Sequence, residues 1–592
     1  MILVEAENFG DTGGWVIDQQ FMDQMGSPFL LAHGLGQPVA DATTQVDFPE
    51  AGTYHVWVRT RDWTAPWRRA GGTSADWEAP GRFQLLLNDE PLDTEFGAEK
   101  ADWHWQYGGA RYLEKGTSQL TLRDLTGFDG RCDAIVFSTN PDEKLPDNGP
   151  ELLLLRRKLL GFDGDPTEMG NFDLVVVGGG IAGICAAVSA ARQGLQVALV
   201  QNRPLVGGNN SSDVRVQLGG KVNMEPYPAI GNLVNELDPQ QVQNARPAEE
   251  YKDDLKLGLV ENEPGVQLFR NVHVNEVEKE GTRIRAVVGQ HVQTGERLRF
   301  RAPLFADCTG DANLGYLAGA DYRIGRESRA ETGETLAPEE ADTMTMGSSV
   351  MWYSVEEEGQ EFGFPETPWA LQFDDQTCQK ARKGDWDWET GLGRHQVDEF
   401  EYIRDYGLRA VFGNWSFLKN KSVRKDDFLN RKLEWVAYVA GKRESRRLLG
   451  DVILQQQDID SSRQFPDGCV TTTWSIDLHH PRIIPGFEDE PFRARCVKTK
   501  IAPYAIPYRS LYSRNIDNLF MAGRNISVTH VALGTVRVMK TTGMMGEVVG
   551  LAAYLGTKYG ASPRQVYEQY LEEFKEVLRA GVPALAETPA KL

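Results

Sequence analysis

Asp173-Leu174-Val175-Val176-Val177-Gly178-Gly179-Gly180-Ile181-Ala182-Gly183 reads as a buried strand, a glycine turn and the start of a helix. The unbroken apolar run suits a parallel strand covered on both faces. Gly178 permits the tight turn, Gly180 lets backbone approach a pyrophosphate, and Gly183 lets the helix lie against the strand. The first helical turn then offers free N–H groups and the positive end of its dipole to phosphate. The helix continues from Ala186 to Gln193 and Gly194 caps it. Gln196-Val-Ala-Leu-Val200 is the second strand. A lone GxGxxG says little, but this one has its strand, helix and second strand. The stretch therefore predicts a dinucleotide site in a parallel α/β fold. One position breaks the pattern. The acid expected after the second strand, which holds a ribose, is Gln201, followed by Asn202. Either amide can still hydrogen-bond ribose hydroxyls.

Three more segments select FAD over NAD. Pro204-Leu-Val-Gly207-Gly208-Asn209-Asn210-Ser211-Ser212 is a second glycine loop directly after the second strand. Leu304-Phe-Ala-Asp307-Cys308-Thr309-Gly310-Asp311 is a strand ending in a small-residue turn. Asn518-Leu-Phe-Met-Ala-Gly523-Arg524-Asn525 is a late strand ending in glycine, with a long helix expected to start near Gly534. In this order the segments resemble the FAD-dependent oxidoreductase superfamily related to glutathione reductase and fumarate reductase. The bacterial FAD-dependent oxidoreductase family is similar in Val200-Gln-Asn-Arg-Pro204, in the Gly207–Ser212 loop, in Gly441-Lys-Arg-Glu-Ser-Arg446, in Ile506-Pro-Tyr-Arg-Ser510 and in Ala522-Gly-Arg-Asn-Ile-Ser-Val-Thr-His530. The resemblance covers residues 171 to 580 or so and implies FAD as cofactor in a two-dinucleotide-binding-type fold. It implies that Gly178, Gly180 and Gly183 face the pyrophosphate and that Gln201 and Asn202 face the adenosine ribose. Gly208 and Asn209 would line the middle of the cofactor, and Val274 would meet the adenine edge through its backbone. Thr309 and Gly310 would close over the adenine side. Gly523 would abut the flavin or its ribityl chain, and a helix end at Gly534 and Thr535 would point toward the flavin. Arg524 departs from the family pattern, because glutathione-reductase relatives place there the Asp that binds the ribityl.

Outward from this core the chain changes character. Residues 1–140 alternate in short strands, as in Thr53-Tyr-His-Val-Trp-Val-Arg59, with the turn pair Asn88-Asp89, and predict an antiparallel all-β sandwich able to fold alone. Seven of the fourteen tryptophans lie before residue 106. Flat indoles can stack sugar rings, which likens the sandwich to carbohydrate-binding or golvesin-like modules. They serve equally as a core and an inter-domain seam. Residues 141–170 read as a linker with a short helix at Leu152–Leu160. Residues 171–345 and 511–592 are assigned to the FAD-binding domain, and 346–510 to an inserted α+β substrate region. In that region Thr343–Tyr353 is expected to be a strand facing the flavin. Arg443, Arg446 and Arg447 suggest either a salt-bridged surface helix or an anion clamp for a carboxylate.

With 592 residues the chain is too long for one core. The net charge of −22 argues against nucleic acid or an anionic membrane as partner. The start, Met1-Ile-Leu-Val-Glu-Ala-Glu7, lacks a basic and apolar signal segment, so a cytoplasmic location is expected. The six cysteines form no CxxC pair, so no metal site is expected. Flavin chemistry calls for a base near neutral pH, which histidine supplies. His530, between the Gly523 turn and the late helix, is the first candidate; His479 and His480 are its rivals. The expected function is FAD-dependent oxidation of a small polyhydroxylated substrate such as a sugar or glycoside. The alternatives are a fumarate-reductase-like reductase of a carboxylate and a glycan-binding protein with structural FAD.

Overall fold

The computed structural model describes residues 1–68, 77–240 and 243–584. The last eight residues of the 511–592 segment lie outside the described residues. The decisive stretch forms β1 (Leu174–Val177), followed by α1 (Ile181–Arg192). With β2 (Val197–Val200), β3 (Val266–Phe269), β4 (Leu304–Asp307) and β5 (Leu519–Met521) it builds a five-stranded sheet in the order β3-β2-β1-β4-β5. All four pairings are parallel. Every residue of β1, β2 and β4 is buried, which is why these strands read as apolar runs.

Gly178, at φ +101°, turns the chain from β1 into α1. A Cβ on Gly183 would stand 1.8 Å from the Gly178 carbonyl oxygen, so only glycine lets α1 lie this close to the strand. The far face of α1 is mostly alanine and takes the late helix α3 (Met539–Tyr559). There Gly546 sits so near the Ala182 carbonyl that a Cβ would come within 2.1 Å.

The helix expected to begin near Gly534 begins elsewhere. Thr529 caps a separate helix, α2 (His530–Val536), by accepting from Ala532 N–H at 3.2 Å. The backbone opens at Val538, and α3 starts at Met539. Gly534 and Thr535 are therefore interior residues of α2. Gly534 presses on the Asp477 backbone, where a Cβ would meet the nitrogen at 2.8 Å, and the Thr535 hydroxyl bonds Tyr504 at 2.6 Å.

The N-terminal region is the expected antiparallel sandwich. One sheet orders Ile2–Glu5, Ala134–Ser138, Gly52–Thr60 and His104–Leu113; the other orders Ala42–Phe48, Gly116–Asp124, Phe83–Leu87 and Glu90–Phe96. The 141–170 stretch holds a helix, Gly149–Leu160, and a strand, Thr167–Asn171, which pairs in parallel with Arg297–Arg301. Trp15, Trp57, Trp63 and Trp103 are buried. Trp63 meets Trp369 edge-on at 5.2 Å, and Trp103 packs on Phe29 at 4.9 Å. Core and seam is thus the role of these four, while Trp67, Trp77 and Trp105 are half-buried. The seam joins the sandwich to the helix Phe400–Asn420 through buried ion pairs. Arg131 grips Asp405 with two nitrogens at 2.6 and 2.9 Å, and Arg404 binds Asp18 at 2.8 Å.

Removing one partner of such a pair leaves an uncompensated buried charge. Arg131→Ala is expected to destabilise the full chain by about 3–5 kcal/mol, read from its urea midpoint. A loss below about 1 kcal/mol would show that the two parts are held by the aromatic seam alone. Among the described residues no helix is long and apolar enough to cross a membrane.

Candidate active site

A cavity of about 550 Å³ opens along the ends of the parallel strands, where ligands of open α/β sheets bind. One end is lined by Gln201, Asn202, His273 and Val274. The middle is lined by Gly178, Gly180, Gly207, Gly208, Asn209, Thr309 and Gly310. The other end is lined by Gly523, Arg524, Trp386, Arg443, Trp474, Asp477, His479, Cys496 and Arg537, with Val538, Met539 and Thr542 from the start of α3.

In the middle two glycine loops face each other. A Cβ on Gly180 would meet only the Gly208 Cα, at 3.9 Å, so the gap between them is lined by backbone alone. Both ends of the Gln201 amide are engaged. Its Oε1 accepts from Gly179 N–H at 2.7 Å and its Nε2 donates to the Leu205 carbonyl at 2.8 Å, so the side chain braces the first loop. Thr309 is likewise occupied, donating to Asp307 at 2.7 Å and accepting from Asn313 N–H at 3.0 Å. Arg524 lies over Gly310 and pairs with Asp311 at 2.8 Å; Lys442 holds the other Asp311 oxygen at 2.6 Å. Against the pull of burial, these two cations keep Asp311 far below the usual carboxylate range.

Of the three histidines only His479 is on the cavity wall. His479 and Asp477 sit two apart on the strand Ile476–Pro481 and so share a face; His480 points the other way. His530 is buried behind the wall, its Nδ1 2.9 Å from Glu444 and its backbone N–H bonded to Glu327 at 2.9 Å. The ring does not line the cavity. Thr343–Tyr353 does not reach the cavity either. Its backbone is clamped from below by two carboxylates, Met346 N–H donating to Glu444 and Gly347 N–H to Glu389.

The arginine run is neither surface helix nor open clamp. Its residues are buried, with Arg447 on a short strand and Arg443 and Arg446 on the irregular stretch before it. Arg447 pairs with Glu444 and Glu327, Arg446 stacks on Tyr316 at 3.9 Å, and Arg443 stacks on Trp386 at 3.8 Å while pairing with Glu389 at 3.3 Å.

The His479 ring lines the cavity but is buried, with both nitrogens engaged. Its Nδ1 lies 2.5 Å from Glu389, and Arg537 Nη2 lies 3.0 Å from its Nε2. Arginine has only donors, so in the neutral ring the proton sits on Nδ1 and Nε2 accepts from Arg537. Burial opposes a charged ring, but Glu389 and Asp477 outweigh it and push His479 up to about 9. Nε2 is therefore a strong base toward any donor that displaces Arg537. Asp477, His479 and Cys496 bring ligand-type atoms within 4.8 Å of one another, and the Arg537 guanidinium sits among them, 3.2 Å from Asp477. Beside them Asp477 Oδ1 and Trp474 Nε1 are buried without a partner.

A family model described as FAD dependent oxidoreductase matches residues 173–578, more than half of the chain. The chain belongs to this family. It is an FAD-dependent oxidoreductase, and its cofactor is FAD. It is also similar to a soluble pyridine nucleotide transhydrogenase of Ectopseudomonas mendocina (strain ymp), at 62% identity over 39 residues, 7% of this chain and 8% of the relative. An NADH:fumarate oxidoreductase of Klebsiella pneumoniae (strain 342) is 30% identical over 128 residues, 21% of this chain and 13% of the relative. The chain thus spans only a small part of these relatives' length. Among solved structures the myxobacterial chondrochloren halogenase CndH aligns over 68% of this chain and 79% of its own, at 14% identity and a TM-score of 0.33.

Proposed function

We propose that this oxidoreductase dehydrogenates a small hydroxylated molecule, of the polyol or sugar class, at the His479 end of the cavity. Asn202 and Val274 would hold the adenosine of FAD, Gly180 and Gly208 with the N–H groups that open α1 would hold its pyrophosphate, and Gly523 with the start of α3 would hold its flavin. The fit rests on the backbone-lined gap between the two glycine loops, which any side chain would fill. When bound, FAD supplies a two-electron acceptor for the hydrogen on the substrate carbon.

The residues supply the rest. His479 Nε2 takes the hydroxyl proton, and Glu389 behind it holds the ring and balances its charge. Asp477 Oδ1 accepts from a neighbouring hydroxyl and Trp474 Nε1 donates to one, which gives both partnerless atoms a role. The indole of Trp474 offers a flat face to C–H groups. The observation that carries the reading is the His479–Glu389 pair on the wall beside two unpartnered polar atoms.

The test is anaerobic mixing of the yellow protein with a panel of polyols, sugars and glycosides. Bleaching of the flavin band by at least one of them is expected. Inertness to the whole panel, with reoxidation of the prereduced protein by an unsaturated acid, would replace this reading by that of a carboxylate reductase.

A further inference from the structure

The sequence withholds an acid from the end of β2, and the structure supplies one from another part of the chain. Gln201 stands at the acid's position with both ends of its amide engaged on Gly179 and Leu205. Across the same end of the cavity runs a strap of the N-terminal sandwich, which lines it with Gln19, Gln20, Asp23 and Gln24. This strap is tied down at every step. Gln20 donates to the Tyr438 carbonyl at 2.9 Å, Gln24 donates to the Val397 carbonyl at 3.0 Å, and Phe21 packs on Phe400 at 5.7 Å.

Asp23 is its only carboxylate on the cavity. One oxygen lies 2.8 Å from His273 Nε2 and the other accepts from Asn313 Nδ2 at 3.1 Å. His273 adjoins Val272, whose N–H donates to the Gln201 carbonyl at 2.9 Å, so Asp23 stands over the same corner that Gln201 occupies from below. Its side chain keeps 31% of its surface accessible. Each carboxylate oxygen has taken one protein donor and retains a lone pair. Although burial opposes ionisation, His273 holds the carboxyl below its usual range, so it is an acceptor at neutral pH.

We propose that Asp23, carried in by the N-terminal sandwich, binds the adenosine ribose hydroxyls of FAD in place of the missing acid after β2, which makes the sandwich part of the cofactor site. The proposal rests on the cofactor orientation given above. It accounts for the fusion of a sandwich to this oxidoreductase without any glycan ligand, and for a seam too tightly paired to move as a lid.

The test compares FAD with its 2′,3′-dideoxyadenosine analogue, which differs only in the two ribose hydroxyls on the adenosine side. Binding to the full-length apoprotein is read by quenching of flavin fluorescence, with no turnover involved. Wild type is expected to prefer FAD by about 10- to 100-fold, the usual worth of hydrogen bonds to a charged acceptor. Asp23→Ala is expected to bind both compounds alike, at the level of the analogue with wild type. Asp23→Asn keeps the shape of the strap and loses the charge; it is expected to show a reduced preference, and it decides the matter if the alanine variant does not fold. A purely structural Asp23 would lower the melting temperature and leave the preference intact, which overturns the proposal. So would a wild type that does not distinguish the two compounds. A wild type that does not distinguish the compounds while Gly180→Val still loses FAD overturns the ribose contact alone, and a Gly180→Val protein that keeps its flavin overturns the cofactor orientation itself.

Discussion

Gly180→Val is expected to purify folded and colourless. Gly180 has φ −68° and ψ 179°, which valine adopts without strain. Its added Cβ would meet nothing nearer than the Gly208 Cα at 3.9 Å, so the apoprotein has room for it. That room is the gap between the two glycine loops, where the pyrophosphate is proposed to lie. The valine methyls would hold the phosphates off the N–H groups of the α1 start, and each charge-assisted bond lost there costs roughly 1.5–3 kcal/mol. With several lost together, FAD affinity should fall by at least about 10³-fold. Gly183→Val is the contrast. Its Cβ would lie 1.8 Å from the Gly178 carbonyl oxygen and 3.2 Å from the Cys308 Cβ, so strand and helix must part and the chain should not fold. Flavin content and the melting temperature of the apoproteins separate the two effects. A Gly180→Val protein that keeps its flavin places the pyrophosphate elsewhere.

Much of this architecture is visible in the sequence because its signals are local. An apolar run between a linker and three glycines can be little other than a strand entering a phosphate loop, and the sandwich announces itself by alternation. What stayed hidden depends on partners distant in the chain. His530 to Val538 contains no proline and no strong breaker, so a single long helix is the natural reading. The break comes at Val538, where the backbone turns extended before Met539. The arginine run looks like a surface feature because its carboxylates, Glu327 and Glu389, lie far away in sequence; only Glu444 is close. Asp23 gives no signal at all, since nothing in a sandwich strap foretells a cavity formed with residues 272–313. One feature was readable and needed only the strand period. Asp477 and His479 are two apart, so they must share a face, and His480 must take the other. That rule separates the two histidines, and the cavity lining decides that His479 is the one that faces it.

His479→Ala is therefore expected to keep its FAD and to slow flavin reduction by substrate about 10²–10⁴-fold, the usual worth of a general base. His530→Ala and His480→Ala should stay within a few-fold of wild type, because neither ring reaches the cavity. Equal losses in all three variants would point to repacking rather than to proton transfer, and an unaffected His479→Ala would remove the ring from the reaction. The pH profile adds a signature that a structural role does not produce. A base must be unprotonated to act, so the reduction rate should climb with pH and level off above about 9, the value to which Glu389 and Asp477 raise this ring. Glu389→Gln removes the larger of these influences and should move the profile to lower pH. Stability should run the opposite way. The ring binds its proton more tightly folded than unfolded, where it titrates near about 6.5. Its contribution is complete below that pH and is lost as the pH rises toward about 9. Wild type should thus lose stability over this interval while His479→Gln does not. Activity gained and stability lost over one pH range, both abolished by one substitution, would tie proton transfer to the His479–Glu389 pair.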